Sequence, residues 1–286
     1  SSGMGAVSLV SQIFRPGQVV VVPHDCYGGT YRLFNALRER GSLDVRFVDF
    51  QQPAALDAAM SQRPALVWVE TPSNPLLRIV DIAAVAAAAH AVGALVVADN
   101  TFLSPVWQQP IALGADAVVH STTKYLNGHS DVVGGAVIAA RPDLHERLAW
   151  WANCVGVTGA PFDSYLTLRG LRTLHARMRA HGESTVQVVD LLAKHPAVRR
   201  VYYPGLPSHP GHEVARSQQS GFGAMVSFEL QGTVEHVKAL LGSLHLFSLA
   251  ESLGGVESLV AHPASMTHAA MDPAARERAG ISDTLL

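Results

Sequence analysis

The sequence is poor in charged residues and nearly balanced in charge. Asp, Glu, Lys and Arg make up 15% of its 286 residues, and the formal net charge at pH 7 is −2. No basic run stands out, so the chain lacks the electrostatic footprint of a nucleic-acid-binding surface. It also lacks an apolar run approaching the roughly 18 residues that a membrane-spanning helix needs, and Ser1 does not open a signal peptide. We therefore expect small-molecule chemistry, with neither nucleic acid nor membrane as a partner.

Cysteine is equally scarce. Cys26 and Cys154 match neither a disulfide framework nor a CxxC metal site, which indicates a reducing compartment, and we expect the cytoplasm. His120, His129 and Asp131 lie close together in the sequence but lack HExxH-type spacing. We therefore predict no metal site and expect these three side chains to form hydrogen bonds within their own loop.

Hydrophobic residues, by contrast, make up 48% of the sequence, and over about the first 140 residues they form short runs separated by helical stretches. Uniformly apolar runs are typical of strands buried on both faces, and this alternation predicts an α/β fold with a mostly parallel sheet covered by helices. Asp81 and Gly93 bound one predicted helix, and Gly41 ends another. Ligands bind at the carboxyl ends of such strands. The predicted strands cover residues 19–22, 45–50, 66–70, 94–99, 116–120 and 135–140.

The second half of the sequence has a different pattern. Residues 162–194 contain few helix breakers and predict one long helix, whereas residues 223–230 predict a strand of a smaller domain. We place the boundary near residue 182, between a large domain, 1–182, and a C-terminal α/β domain, 183–286. The chain opens like a helix inside a domain and stops without a closing signal, so we expect further segments at both ends.

Lys124 is the residue most suggestive of chemistry, and it lies in the stretch HSTTKYLNGHSDVVGG. A lysine amine attacks carbonyls well when burial and neighbouring groups lower its pKa. The hydroxyls of Ser121, Thr122 and Thr123 suit phosphate oxygens, and the glycines that follow allow close backbone approach. A phosphorylated aldehyde cofactor needs both features. The alternative is a surface lysine in a Ser/Thr loop, and a short motif alone does not decide between them.

Other residues lie where they can share a cleft with Lys124. Asp99 closes the preceding predicted strand, where a carboxylate can hold a pyridinium nitrogen protonated or can simply cap a turn. Tyr27 precedes two glycines and can lie over a cofactor ring or pack on the core. Asn74 can donate to a ring oxygen or serve as a turn residue. Gly3 and Met4 open a predicted helix whose free N–H groups can face an anion, although a plain serine N-cap explains the same pattern.

Six motifs occur along the chain in a fixed order: SGM, CYGGTYR, ETPSNP, DNTFLSP, HSTTKYLNGHSDVVGG and AESLGGVESLVAHPASMTH. In this order they resemble the cystathionine synthase and lyase family, the Cys/Met-metabolism branch of fold-type I pyridoxal-phosphate enzymes. The resemblance covers essentially the whole chain, and a long ordered set of matches is far more specific than one short motif. It implies an aspartate aminotransferase-like fold, with a large domain and a smaller C-terminal one, and pyridoxal 5′-phosphate as the cofactor.

The resemblance also implies roles for the residues around the cofactor. Lys124 would carry it as a Schiff base, Asp99 would pair with the ring nitrogen, and Tyr27 would stack on the ring. Asn74 would lie near the ring hydroxyl. The residues implied to hold the phosphate are Gly3, Met4, Ser121 and Thr123.

Within the family, the stretches PHDCYGGTYRLF, LAWWANCVGVTGAPFDSYLTLRGLRTL and LAESLGGVESL resemble members that form L-cystathionine and succinate from O-succinyl-L-homoserine and L-cysteine in methionine biosynthesis. Gly29 argues against the methionine γ-lyases, which commonly have cysteine there. We expect Arg32 to bind the distal succinyl carboxylate, because a guanidinium binds carboxylates bidentately. Transsulfuration by γ-lyase chemistry and an acetyl in place of a succinyl ester stay open. The other residues implied to contact substrate are Asn153, Glu251 and Ser252.

Comparison with the family's pattern yields further expectations. Relatives form homotetramers whose active sites are shared between subunits. They carry a Tyr and an Arg in a segment preceding the stretch that matches Ser1, and an arginine for the substrate α-carboxylate just after the position of Leu286. An inactive fragment or scaffold of this fold is therefore the non-enzyme alternative. A nicotinamide dehydrogenase is disfavoured because no GxGxxG follows a strand.

Overall fold

The short apolar runs of the first half pair into one central sheet. In the computed structural model, which describes residues 1–269, 271, 276, 277 and 279–286, six strands lie in the order β2-β1-β3-β4-β5-β6. Five run parallel, and β6 lies antiparallel to β5. This confirms the predicted mostly parallel α/β sheet. The strands are β1 Val19–Pro23, β2 Asp44–Val48, β3 Leu66–Glu70, β4 Leu95–Asp99, β5 Ala117–Ser121 and β6 Gly135–Ala139.

Helices connect and cover these strands. As predicted, Asp81 caps the helix that follows it, because its Oδ1 accepts the Ala84 N–H at 2.9 Å. Gly41 and Gly93 follow their helices with φ of 70° and 81°, in the left-handed region that favours glycine. A 3₁₀ turn spans Pro110–Leu113. The helices are α1 Gly3–Gln12, α2 Gly28–Glu39, α3 Pro53–Ser61, α4 Ile82–Ala91, α5 Ser104–Trp107, α6 Pro142–Val155, α7 Pro161–Leu171, α8 Leu174–Lys194, α9 His212–Gln218 and α10 Val234–Ser243.

Two apolar clusters bury the two faces of the sheet. Because side chains alternate along a strand, Trp68 belongs to the cluster under α1, α2 and α6, whereas Val67 and Val69 belong to the cluster under α3 and α4. β3 is buried along its whole length. The expectation of burial on both faces is wrong for β6, where Ile138 is 42% exposed, because β6 is an edge strand of the sheet.

The long helix predicted over residues 162–194 is broken. α7 ends at Leu171 and α8 begins at Leu174, and the Arg177 guanidinium donates to the Gly170 carbonyl at 2.8 Å. A side chain on Gly170 would overlap the Asn127 carbonyl. The break therefore lets the end of α7 rest on the loop that follows Lys124. The proposed domain boundary near residue 182 falls inside α8.

The remaining strands form two small pairs. β7, Val198–Tyr202, pairs antiparallel with β8, Ser227–Leu230, and β9, Ser248–Leu249, pairs parallel with β10, Leu259–Val260. The strand predicted over residues 223–230 is thus shorter, because its pairing with β7 ends where Tyr202, the last residue of β7, pairs with Ser227. Leu286 exchanges two 2.9 Å backbone hydrogen bonds with Phe228, which adds a further extended segment beside β8.

Among the helices within the described ranges, none combines the length and apolar character needed to cross a bilayer.

Candidate active site

Polar side chains close three neighbouring strands at their carboxyl ends. Glu70, Asp99 and Ser121 end β3, β4 and β5, and Glu70 pairs in register with Asp99. By the alternation of side chains they lie on the same face as Trp68 and Val97, the face that α1 and α2 cover. The amino ends of α1 and α2 therefore meet these carboxyl ends, at the edge where parallel sheets bind ligands.

The first turn of α1 forms one end of this site. The Ser2 Oγ caps the helix by accepting the Gly5 N–H at 2.9 Å. The N–H groups of Gly3 and Met4 precede the first intrahelical bonds and have no partner within the helix. Gly3 lies so close to Ser121 that a Cβ built on it would be 2.8 Å from the Ser121 Cβ. The structure thus shows the serine cap. The helix also presents N–H groups beside the Ser121 hydroxyl, an arrangement that suits an anion, and the role of Gly3 and Met4 in phosphate binding stays a prediction.

Thr101 joins the ends of β4 and β5. Its Oγ1 accepts the Ser121 N–H at 2.9 Å, and the Asp99 Oδ1 accepts the Thr101 N–H at 3.0 Å. Burial raises the pKa of Asp99, and the hydrogen bonds from Thr101 oppose that rise. Thr101 was not among the predicted site residues, although its place two residues after Asp99 in DNTFLSP was a usable signal.

Lys124 follows β5 and contacts a segment far away in the sequence. Its Nζ donates to the Ser252 Oγ at 2.7 Å. Burial lowers the pKa of Lys124, while the neighbouring Glu251 carboxylate raises it. Ser252 has a φ of 92°, in the region that favours glycine, and Gly254 packs against the Tyr125 backbone. The structure therefore brings Lys124, Glu251 and Ser252 together, and it makes a free surface loop an inadequate description of Lys124.

Tyr27 lies at the amino end of α2, opposite Ser121. Its ring packs against Gly29. A Cβ built on Gly29 would lie 2.6 Å from the Tyr27 Cε1 and 2.7 Å from the Met4 sulfur. Tyr27 as a whole is 51% exposed. Both oxygens of the Glu70 carboxyl accept the Tyr27 N–H, at 3.1 and 2.9 Å. Glu70 was not among the predicted site residues, although an acid that closes the otherwise apolar run LVWVE was a signal.

The remaining predicted residues are placed less directly. Thr123 bonds the backbone of Gly134, with the Gly134 N–H donating to its Oγ1 at 3.0 Å. Arg32 is exposed on α2 with its guanidinium over Gly28, and Asn74 is half-buried in the loop after β3. Asn153 is exposed near the end of α6. Among the described contacts, none joins the side chains of Arg32, Asn74 or Asn153 to Lys124.

The histidines and the aspartate of the same stretch have structural contacts. The His129 Nδ1 lies 2.7 Å from the Asn127 carbonyl oxygen, and the Asn127 amide donates to Asp131 at 2.7 Å. These bonds lie within the loop, as predicted for His129 and Asp131, whereas the described contacts include no hydrogen bond of the His120 side chain. His120 is buried in β5, where desolvation lowers its pKa to about 4. Across the described ranges, no group of three His, Cys, Asp or Glu side chains forms a metal site.

The residues at this edge fit pyridoxal phosphate. The Gly3 backbone approaches Ser121 at a distance that a side chain would prevent, and this leaves a place for the phosphate between helix N–H groups and a hydroxyl. An amine of lowered pKa, a carboxyl of raised pKa and an exposed aromatic residue lie just after β5, at the end of β4 and at the amino end of α2, namely Lys124, Asp99 and Tyr27. Together with the parallel sheet, they define the class of the protein, the pyridoxal-phosphate-dependent enzymes of fold-type I.

Comparison with known proteins narrows the class to a family. A family model described as "Cys/Met metabolism PLP-dependent enzyme" matches residues 1–286. The chain belongs to this family, and it is an enzyme that depends on pyridoxal phosphate.

Individual relatives are identical to this chain at more than two fifths of the aligned residues. The chain is 58% identical to cystathionine gamma-synthase of Escherichia coli over 287 residues, covering 100% of this chain and 74% of the relative. It is 49% identical to cystathionine beta-lyase of Coxiella burnetii (99% and 74% covered) and 46% identical to cystathionine gamma-lyase of Dictyostelium discoideum (100% and 74%). A solved cystathionine gamma synthase of Xanthomonas oryzae pv. oryzae, in complex with aminoacrylate and cysteine, superposes with a TM-score of 0.98 at 59% identity, covering 100% and 74% of the two chains.

Gly135→Ala is expected to disrupt the phosphate end of the site. A Cβ at Gly135 would overlap the Ser2 carbonyl, so the amino end of α1 must move away from β6. We expect a loss of about 1–3 kcal/mol in the free energy of unfolding, as for other overpacked positions, together with weaker binding of pyridoxal phosphate. Denaturant unfolding and a cofactor titration measure the two effects.

Gly242→Ala is the matched control for that substitution. Gly242 lies within α10 with open space around its Cα, so alanine there is expected to stabilise the helix by up to about 1 kcal/mol. A Gly135→Ala protein that unfolds and binds cofactor like the wild type would show that α1 does not need its present contact with β6.

Proposed function

We propose that this enzyme carries out γ-replacement, forming L-cystathionine and succinate from O-succinyl-L-homoserine and L-cysteine. The observation that carries this proposal is the 58% identity to a cystathionine gamma-synthase along the whole chain, against 49% and 46% to the beta-lyase and the gamma-lyase. A Cα-proton, a Cβ-proton and a γ-leaving group must all be handled in one cleft, and the arrangement around Lys124 suits that task.

The proposed cofactor contacts follow the geometry of the sheet edge. Gly3 and Met4 would donate their N–H groups to the phosphate, beside the hydroxyls of Ser121 and Thr123. Bound pyridoxal phosphate supplies a carbonyl to which an amine attaches and a ring that takes up the electron pair from a broken C–H bond. The residues proposed to face its ring are Lys124, Asp99, Tyr27 and Asn74.

Lys124 is the proposed base and acid. Its lowered pKa increases the fraction of neutral amine at neutral pH, the form that can accept a proton from carbon. Ser252 accepts a hydrogen bond from the lysine Nζ at 2.7 Å and thus orients the amine toward the cleft. We propose that this one amine accepts the Cα-proton, passes it on so that it is neutral again, and then accepts the Cβ-proton. Succinate leaves with the electron pair of the Cγ–O bond, the cysteine thiolate adds at Cγ, and both protons then return to Cβ and Cα.

Substrate recognition is proposed for residues at the rim. Arg32 would bind the distal carboxylate of the succinyl group, which an acetyl ester lacks, because its exposed guanidinium lies near Tyr27 at the start of α2. Glu251 and Asn153 would contact the amino-acid part of the substrate. Arg32 is thus the proposed determinant of acyl preference.

Product analysis tests the proposed reaction. Purified protein loaded with pyridoxal phosphate is given O-succinyl-L-homoserine with and without L-cysteine, and L-cystathionine in a separate reaction. γ-Replacement predicts cystathionine and succinate in equal amounts when cysteine is present. Rapid release of 2-oxobutyrate from cystathionine would instead assign a γ-lyase, and release of homocysteine and pyruvate would assign a β-lyase.

We also propose a homotetramer built from dimers, with 1–182 and 183–286 as the domains of each subunit. Apolar side chains stand out on α6 and α7 and support an interface between copies, because an exposed apolar patch of this kind marks protein contacts. The molecular mass in solution tests this proposal. The side chains concerned, each between 40% and 68% exposed, are Trp150, Val155, Phe162, Tyr165, Leu168 and Leu171.

A further inference from the structure

Glu70 is a buried acid at the centre of the site for which the proposed reaction needs no direct part. Glu70 is the last residue of β3 and is 7% exposed. Both of its carboxyl oxygens accept one backbone donor, the Tyr27 N–H, at 3.1 and 2.9 Å. A buried carboxyl is costly unless it is hydrogen-bonded, so this pair of contacts is where its desolvation is offset.

The backbone amide of Tyr27 determines where the tyrosine side chain begins. Tyr27 is the N-cap residue of α2, and its own side chain makes no capping hydrogen bond. The helix amino end favours a negative group, and Glu70 supplies it. The tyrosine ring and the Met4 sulfur both pack against Gly29. The hydrogen bond from the Tyr27 N–H to Glu70 therefore fixes the start of α2, and with it the backbone that carries the tyrosine ring.

Other charged groups face Glu70 from the neighbouring elements. Asp99 lies beside it in register on β4, and Asp25 lies in the loop after β1. Burial raises the pKa of Glu70, Asp99 and Asp25 raise it further, and the Tyr27 N–H opposes the rise. Burial, followed by Glu70, also raises the pKa of the Cys26 thiol. Glu70 can thus influence the site by two routes, through the Tyr27 backbone or through the charge on Asp99.

We propose that Glu70 is a positioning residue that acts through the Tyr27 amide, holding the tyrosine ring over the cofactor ring. The Tyr27 N–H donates to both carboxyl oxygens of Glu70. This shared hydrogen bond favours the route through the Tyr27 backbone, because it is a direct contact to the residue that carries the ring. Asp99 makes its own hydrogen bonds with Thr101 and needs none from Glu70. The inference rests on the proposed role of Tyr27 in the site.

A double-mutant cycle on cofactor binding tests the proposal. Wild type, Glu70→Gln, Tyr27→Ala and the double variant are titrated with pyridoxal phosphate, and the visible circular dichroism of the bound cofactor is recorded. Glutamine keeps the size of the side chain but removes its charge and one acceptor. We expect Glu70→Gln to weaken binding about tenfold and to reduce the dichroism, because the charge-assisted hydrogen bond from the Tyr27 N–H becomes a weaker bond to a neutral amide oxygen. In the Tyr27→Ala background the same change is expected to alter affinity less than twofold.

Matched variants complete the design. Glu70→Asp keeps the charge and is expected to restore part of the affinity and dichroism, and it replaces the glutamine variant in the cycle if that protein does not fold. Glu146→Gln, the same chemical change at an exposed position of α6, is expected to behave as wild type.

Two results would overturn the proposal. A tenfold loss that persists in the Tyr27→Ala background would show that Glu70 acts through Asp99 instead. A lowered melting temperature with unchanged affinity and dichroism would leave Glu70 a purely structural role. The cycle requires only cofactor binding, so a failure to form cystathionine would refute the proposed substrates without affecting this result.

Discussion

Lys124→Ala is expected to abolish turnover and the covalent attachment of pyridoxal phosphate to the protein. The lysine amine is the proposed point of attachment and the proposed group that moves protons, and general acid–base catalysis alone contributes about 10²–10⁴-fold. We therefore expect activity below about 10⁻³ of the wild type. The fold should survive, because Lys124 is half-buried and bonds one exposed hydroxyl, that of Ser252.

The sequence makes the position of attachment easy to verify. Lys124, Lys194 and Lys238 are its lysines, and Lys194 lies exposed on α8 in an ion pair with Asp190. Borohydride reduction followed by peptide mapping should label the Lys124 peptide in the wild type and in the control variant Lys194→Ala, and should label nothing in Lys124→Ala. Label on Lys194 or Lys238, or normal turnover by Lys124→Ala, would refute the assignment.

Asp99→Asn is expected to lower turnover by about 10²–10³-fold while preserving the fold. The substitution removes a buried carboxylate that is proposed to face the cofactor's ring nitrogen, and loss of one preorganised electrostatic contact has an effect of this size. Asparagine can still accept the Thr101 N–H through its Oδ1, so the link between β4 and β5 is retained. Steady-state kinetics and denaturant unfolding measure the two quantities separately.

The contribution of Asp99 should be lost as the pH falls. Burial raises the pKa of Asp99 in the cofactor-free protein, so acidification should protonate Asp99 and weaken the binding of pyridoxal phosphate at a higher pH than for an exposed aspartate. The asparagine variant should lack that acid limb. Asp143→Asn, an exposed aspartate on α6 that pairs with Arg141, is the control and should keep both rate and profile. An Asp99→Asn enzyme within threefold of the wild type would remove the carboxylate from the mechanism.

Much of the fold and part of the site could be predicted from patterns along the chain. Apolar runs separated by helical stretches predicted the strands of the central sheet, because a strand covered by helices on both faces is apolar along its whole length. Since parallel strands carry ligands at their carboxyl ends, Asp99, Ser121 and Lys124 were expected to meet. Each of them lies at or just after a strand end in the structure.

The position of β6 at the edge of the sheet and the break between α7 and α8 were predicted less well. β6 has the same apolar composition as the central strands but lies at one edge of the sheet, which its sequence alone does not reveal. The division between α7 and α8 depends on Arg177, whose guanidinium contacts both the Gly170 and the Tyr125 carbonyls at 2.8 Å. Local helix propensity contains no information about such a contact, so the stretch was predicted as one helix.

The sequence by itself determined the strand and helix periods, the caps at Asp81 and Gly41, and the set of chemical groups available to the site, because these depend on neighbours within a few residues. Tertiary structure alone decided that Glu70 holds the amide of Tyr27 and that Ser252 receives the amine of Lys124, 128 positions away. Such pairs arise only when the packed sheet brings distant strand ends to one edge, and their distances depend on that packing rather than on any local pattern.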